Sequence, residues 1–429
     1  MGEMKVVYSD KKVTPFGGMK LLKDFIDKTD IIKDLESVAL PYPRSNAGYN
    51  PVDIIQGFWL SIFTGASRYI HADWLRYDTV LQNIFDIKRL PSQSTYSRFF
   101  HKFSWERNNE VFPKLQRRFL KQINVGALTI DLDSTVITRY GKQEGASKGY
   151  NPAKKGRKSH HPLIAFISQT RMVANAWMRS GNTADLNNYT GFLNETFNEV
   201  LQDKEIGLVR ADSGFYSNGF LEWFENKELN YIIAVKFYQN IKYKIGAIEQ
   251  WTNICYGIDV CNLYFKPENG KERRYIIVRK RISKYPNSGG KLLFDEPTYR
   301  YSAYVTNLKL PVDQIYNIYN TRADCENRIK ELKYDFGADN FCLKEFFATE
   351  ASFRFIMMAY NVMALFKHQV LQSNMQLKTL RAYCFAIGSW ITNHSNQEVL
   401  NMALPTKRRA WMNGLFENAK QSQLPFKYT

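Results

Sequence analysis

The spacing of apolar positions along this chain changes more than once, and the changes divide it. From residue 1 to about 125 the period is helical. Leu22, Phe25 and Ile26 make one stripe, Pro41, Pro43 and Gly48 interrupt it, and Val52, Ile55, Trp59, Ile62 and Phe63 make another. Apolar residues three and four apart share one helix face, so both stripes predict helices. Leu90 to Arg98 predicts a further helix entry, with Ser92 as N-cap, polar residues over the first turn, and Tyr96, Phe99 and Phe100 packing inward.

The pattern then turns to strands. Ala127 to Ile137 predicts a strand in which Asp131 and Asp133 share one face by the period of two. A long polar connection, Gly141 to His161, leads to strands at Leu163–Ser168 and Val173–Met178, closed by the turn Ser180-Gly181-Asn182. A helix over Asn187–Leu201, a short strand from Ile206 that ends at Asp212, a helix over Gly219–Lys227 and a strand over Tyr231–Val235 complete a βββαβαβ order. The β-rich pieces between Phe237 and Tyr299 include Tyr275–Arg281 and the loop Pro286–Gly290. Tyr304–Asn307 reads as a returning strand, Val312–Phe336 as a helix free of Pro and Gly, and Phe353–Leu371 as an apolar helix. Lys407, Arg408 and Arg409 mark a basic helical tail. The expected divisions are 1–125 (helical, DNA-binding), 126–236 (an α/β core), 237–300 (a β-rich insertion), 301–375 (the rest of the core) and 376–429 (helical and basic). No internal repeat or low-complexity tract interrupts them.

Composition narrows the partner. At 429 residues, 44% hydrophobic and 15% aromatic, the chain is neither disordered nor a single small core. Lys plus Arg number 59 against 41 Asp plus Glu, a net +18 that calls for a polyanion, nucleic acid before anionic membrane. The longest apolar run, Phe353 to Phe366, carries Arg354 and Asn361 and is too short to cross a bilayer; no membrane partner is expected. Met1–Lys12 is polar, and no secretory leader is expected. Five scattered cysteines without a C-x2-C pair indicate neither a disulfide framework nor a zinc ribbon, and a reducing cytoplasm fits them.

The chemistry lies in the acids. On the helix Val312–Phe336, Tyr319, Arg322, Glu326 and Lys333 fall within a stripe about 60° wide at 3.6 residues per turn. A carboxylate among a phenol, a guanidinium and an ammonium suits a divalent cation with phosphate oxygens held beside it, although a solvated, salt-bridged helix would read the same. Asp131 and Asp133 on one face of an apolar strand are costly unless paired or metal-bound. Gln93, Ser94 and Arg98 at a helix start suit phosphate and base-edge contact in a helix-turn-helix. Lys154, Lys155, Arg157 and Lys158 place a basic run in the connection, expected along the path of DNA.

Tyr319 to Lys333 reads Y-x2-R-x3-E-x6-K and closely resembles the signature around the last acid of one branch of bacterial insertion-sequence DDE transposases. Asp133-Ser134-Thr135 resembles the D-x-T around their first acid, and Asp212-Ser213-Gly214-Phe215 the D-x-G-[YF] around their second. The resemblance covers about residues 126–370, with the three motifs in order. It implies an RNase H-like fold, a mixed five-stranded sheet with flanking helices, in which Asp133, Asp212 and Glu326 are catalytic and hold two Mg²⁺ or Mn²⁺ ions. It implies that Tyr319, Arg322 and Lys333 bind DNA phosphates. It further implies binding of double-stranded DNA at element ends and target, strand cleavage and transfer by excision, a homodimer across two ends, and a bacterial, nucleoid-associated location. Excising members carry a β-rich insertion before the glutamate helix with an aromatic that holds a flipped base, a role that would fall here to Trp251. Asp131 stands open as a replacement for Asp133. Leu128–Val136 also fits h-h-h-D-x-D-x-T of haloacid-dehalogenase-type phosphatases, with Asp131 as nucleophile. A non-catalytic DNA-binding regulator would have lost an acid, and here all three are present.

Overall fold

A computed structural model of the chain describes residues 4–43, 48–183, 188–267, 270–282, 298–395 and 397–428. The loop expected at Pro286–Gly290 and the helix start expected at Asn187 lie outside these residues. The amino-terminal region is helical, as its periodicity predicts. Helix α1 (Met19–Ile26) buries Leu22, Phe25 and Ile26. Helix α2 (Pro51–Thr64) starts where the Asn50 side chain accepts the Val52 N–H at 3.0 Å and ends at Gly65, whose φ of 114° suits a residue without Cβ. Helix α3 (Gln93–Phe100) begins at Ser92, whose hydroxyl accepts the Thr95 N–H at 3.3 Å. Helix α4 (Trp105–Lys121) follows.

The central sheet begins with β1 (Leu128–Ser134), β2 (Leu163–Ile167) and β3 (Val173–Trp177), an antiparallel meander. The Gly141–His161 connection is less irregular than its polarity suggests. Ser147–Lys148 and Lys158–His160 pair, and the latter also pairs with Ile137–Thr138, making a small three-stranded sheet. The helix after β3 runs over Tyr189–Asn194 and widens to a π turn at Glu195–Val200. Strand β4 (Ile206–Ala211), helix α5 (Asn218–Asn226) and strand β5 (Tyr231–Ala234) follow, with β4 parallel to β1 and β5 parallel to β4. Five strands in the order β3-β2-β1-β4-β5, with only the second reversed, are an RNase H-like sheet.

The region expected as a β-rich insertion joins the central sheet. It carries a helix (Gln239–Gly246) and strands β6 (Thr252–Cys255), β7 (Ile258–Phe265), β8 (Arg273–Ile282) and β9 (Thr298–Thr306). Because β9 pairs antiparallel with β5, with Ile233 opposite Val305, all four strands extend the core sheet to nine. The returning strand therefore starts earlier than Tyr304 and spans both regions.

The segment Val312–Phe336 is not one helix. Helix α6 (Val312–Asn320) and helix α7 (Asp324–Tyr334) are joined by a 3₁₀ turn at Thr321–Ala323. At the break, the Ile318 carbonyl accepts the Thr321 hydroxyl at 2.9 Å and the Arg210 guanidinium, which compete for it with the helical N–H. Helix α8 (Phe346–Phe366) is buried nearly all round, as its continuous apolar sequence requires. Its Phe355 carbonyl accepts the Trp59 indole N–H of α2 at 2.8 Å. The carboxy-terminal region is not wholly helical: β10 (Ser389–His394) and β11 (Gln397–Met402) form a hairpin beside Val13–Thr14, before helix α9 (Thr406–Gln421). Among the described residues the larger hydrophobic cluster runs from Met19 to Phe426, and a smaller one gathers Ile232, Val260, Ile276, Val278, Ile315 and Tyr316 on the insertion side of the sheet. Among the described residues, no helix is long and apolar enough to cross a membrane.

Candidate active site

Strand β1 turns Leu128, Ile130 and Leu132 into the core and sets Asp131 and Asp133 on the opposite face, both buried. The two acids meet different fates. Asp131 stands directly across the parallel ladder from Arg210 of β4, which grips it with Nε to Oδ1 at 2.7 Å and Nη2 to Oδ2 at 2.9 Å. Arg210 also donates to the Ser168 hydroxyl at 3.0 Å, to the Thr321 hydroxyl and to the Ile318 carbonyl. One buried guanidinium thereby ties β1, β2 and β4 to the break before α7. Asp131, wholly buried and held on both oxygens, has no access to a phosphorus, and its reading as a phosphatase nucleophile fails.

Asp133 lies two residues further, where the strand ends. Its Oδ1 accepts the Ser134 N–H at 2.8 Å, and Arg322 Nη2 lies 3.2 Å from its Oδ2. The carboxyl stands raised from 3.8 to about 6, pushed up first by burial and then by the charge of Asp212, with Arg322 opposing. Asp212 follows β4 and its Oδ1 accepts the Gly214 N–H at 2.9 Å, capping a short 3₁₀ turn. The parallel pairing of β1 with β4 brings these two acids to one end of the sheet. Two carboxylates at one end of a sheet are oxygen donors of the kind a hard divalent cation takes.

Helix α7 and the turn before it close the site. Arg322, buried, donates Nη2 to the Leu132 carbonyl at 3.0 Å, while its Nε is buried without a hydrogen-bond partner. The neighbouring carboxylates raise the guanidinium above its usual range despite burial. The Tyr319 hydroxyl donates to the Ala211 carbonyl at 3.2 Å, its ring lies 4.2 Å from that of Tyr304, and burial raises its phenol. Lys333 reaches the Val136 carbonyl at 2.9 Å; burial lowers its ammonium, with Asp339 and Asp133 opposing. Glu326 is on the same helix but exposed, and among the described residues no three acidic, His or Cys side chains are drawn together as a metal-binding group. The structure thus gathers Asp133, Asp212, Tyr319, Arg322 and Lys333, and leaves Glu326 at the rim.

Three neighbours carried no motif. Arg210 is one. Cys325 is buried against Asp133, which raises its thiol further than burial alone. The His161 Nε2 lies 3.1 Å from the Ser134 hydroxyl and its Nδ1 3.1 Å from the Thr183 carbonyl, bracing the residue after Asp133. Only Cys325 could have been suspected, from its place beside Glu326 in the signature.

The other expected contacts are spread out. Lys154, Lys155, Arg157 and Lys158 are exposed, Lys154 beside the Tyr140 hydroxyl. Gln93, Ser94 and Arg98 are exposed at α3. Trp251 is half-buried in the insertion; its indole N–H donates to the Ile248 carbonyl at 3.2 Å, and Arg279 lies 4.3 Å from its ring.

The family model described as transposase DDE domain group 1 matches residues 2–423. No curated protein matches. A solved synaptic complex of piggyBac transposase with hairpin DNA is similar at a TM-score of 0.47 and 12% identity, covering 87% of this chain and 81% of that one.

Proposed function

The chain belongs to the transposase DDE domain group 1 family, a DNA transposase family, and on that premise we propose that it binds the terminal inverted repeats of its own insertion sequence and excises the element by cut-and-paste. The observation that carries this reading is the pairing of Asp133 with Asp212 at one end of the sheet, Arg322 beside them with an unpartnered buried Nε. We assign Asp133, Asp212 and Glu326 as the ligands of two divalent cations, Mg²⁺ or Mn²⁺, whose oxygen-only donor set suits hard ions. When bound, such ions stabilise the attacking and leaving oxygens of an in-line displacement.

The chain's own residues do the rest. Arg322 and Lys333 neutralise the scissile phosphate from the α7 side, and Tyr319 fixes the end of β4 from which Asp212 projects. Lys154, Lys155, Arg157 and Lys158 follow the DNA backbone leading to the site, and Gln93, Ser94 and Arg98 contact the repeat. Asp131 is excluded from the ligand set because Arg210 occupies both its oxygens. The insertion β6–β9 accompanies excision, through a hairpin whose flipped base Trp251 would hold. Joining two ends calls for a homodimer, acting at the bacterial nucleoid.

The test uses DNA from either side of the gene. With Mg²⁺ or Mn²⁺, the purified protein is expected to cut at imperfect inverted repeats flanking the reading frame. Asp212→Asn is expected to bind the same DNA with near-parental affinity and leave it intact. An Asp212→Asn protein that cuts like the parent, or a parent inert on its flanks with either metal, would overturn the assignment.

A further inference from the structure

Between α2 and α3 the chain makes a 3₁₀ helix, Tyr69–Leu75, that the active site does not use. Its inner face is fixed. Tyr69 is buried, 5.1 Å from Phe341 and 6.2 Å from Tyr96 of α3 by ring centres. Asp73 Oδ1 accepts the Gln93 N–H at 3.0 Å, so the first turn of α3 is bonded to this helix. Gly337, just beyond α7, packs on Ser67, where an added Cβ would lie 3.2 Å from the Ser67 Cα. The element is therefore fastened both to α3 and to the end of the glutamate helix.

Its outer face has no such partners. Trp74 is 73% exposed, Tyr77 85% and Ile70 48%. Trp74 is nonetheless not loose: the His71 ring stacks on it at 4.6 Å and 15°, and His71 Nδ1 accepts the Ser67 N–H at 3.2 Å. One face of the indole is thus backed and the other is open. The charges around it are sorted by direction. Asp73 is spent on Gln93, and Asp78 accepts the Leu81 N–H at 2.8 Å and the Thr14 hydroxyl at 2.6 Å. Arg68 and Arg76 face water, and among the described residues neither is ion-paired. Arg98 of α3 adds a third exposed cation.

We propose that Trp74, backed by His71 and flanked by Arg68 and Arg76, is a stacking platform for an unpaired base of the bound DNA. A rigid, open aromatic face beside outward cations matches the flat base and the phosphates of a locally unpaired strand. The proposal rests on the reading of the chain as an enzyme that acts on DNA ends. The base it takes is any one freed from its pair, since stacking does not read sequence.

The experiment compares end DNA fully paired with the same DNA mismatched at its terminal base pairs, in EDTA so that no cutting occurs, with 2-aminopurine as reporter. The parent is expected to favour the mismatched end by about five- to one-hundred-fold, the range that stacking one base supplies. Trp74→Ala is expected to lose that preference and the quenching of 2-aminopurine, while keeping its affinity for paired DNA. Trp74→Phe is expected to retain most of both. Unchanged preference and quenching in Trp74→Ala would overturn the proposal. So would an equal loss on both DNAs, or a change confined to self-association in sedimentation, which would make the surface a protein contact. A parent that neither binds nor cuts end DNA sinks the transposase assignment itself, so the two failures are distinguishable.

Discussion

Two aspartates two residues apart on β1 should respond to the same substitution with opposite changes in stability. Asp131→Asn leaves the Arg210 guanidinium, 1% exposed, without the carboxylate that pairs it. Breaking a buried pair from one side costs about 3–5 kcal/mol, because the remaining charge is stranded. Asp133 is the reverse case. Its folded carboxyl titrates at about 6 against an ordinary 3.8, so the fold disfavours its ionised form even with Arg322 beside it. At 1.36 kcal/mol per unit, that is about 3 kcal/mol of lost stability above pH 6, which a neutral amide relieves. The sign follows from the raised value: the penalty is absent below 3.8, grows as pH rises to 6, and is complete above it. Urea unfolding of the metal-free protein at pH 7 should therefore place Asp131→Asn well below the parent and Asp133→Asn above it. The gap between parent and Asp133→Asn should close as pH falls toward 4. Activity cannot separate the two, since both substitutions are expected to abolish cleavage. An Asp131→Asn protein as stable as the parent, or an Asp133→Asn protein less stable, would refute the assignment of one acid to structure and the other to the metals.

Burial, followed by Arg139, holds the His160 imidazole down to about 4 from 6.5, while Arg139 Nε donates to its Nδ1. Its neutral form is favoured above 6.5, and about 3 kcal/mol should be lost as pH falls from 6.5 to 4; an acid-unfolding midpoint that does not move in His160→Gln would contradict this. Replacing Lys154, Lys155, Arg157 and Lys158 by Ala should flatten the slope of log K against log salt by up to about 0.9 for each phosphate no longer neutralised, and an unchanged slope would leave them as solvated side chains. Trp251→Ala, which removes one of the two rings that Arg279 stacks on, should lower the thermal midpoint; normal stability with failed hairpin formation would instead give Trp251 the base-holding role.

Much of the core was legible because its signals are local. The period-two alternation of Leu128–Asp133 sets both acids on one face whatever the fold around them. Ser92 announces α3 because an N-cap needs only its own next three residues. What was not legible depends on distant partners. That Asp131 is the acid held in an ion pair follows from Arg210, on a strand that lies far along the chain and directly alongside only after folding. The same arginine takes the Ile318 carbonyl, and so breaks a helix whose sequence contains no breaker. Glu326, expected to face the aspartates, lies exposed on α7 beyond that break.

The nine-stranded sheet makes the insertion a poor candidate for a detachable module. Were residues 237–300 cut away, the remainder of β9, Tyr301–Thr306, would still cover β5 but would lose its own neighbour β8, leaving bare N–H and C=O groups along a flank bounded by the buried Ala303, Tyr304 and Val305. An open apolar flank of that kind recruits other chains. In the intact protein the exposed margin is moved out to Thr252–Cys255, four residues whose side chains are mostly in water. The insertion therefore serves the solubility of the nuclease core as well as any work it does on DNA. Truncation intended to isolate that core should yield aggregates, and grafting the insertion onto a relative will succeed only where that relative's returning strand is ready to accept a neighbour.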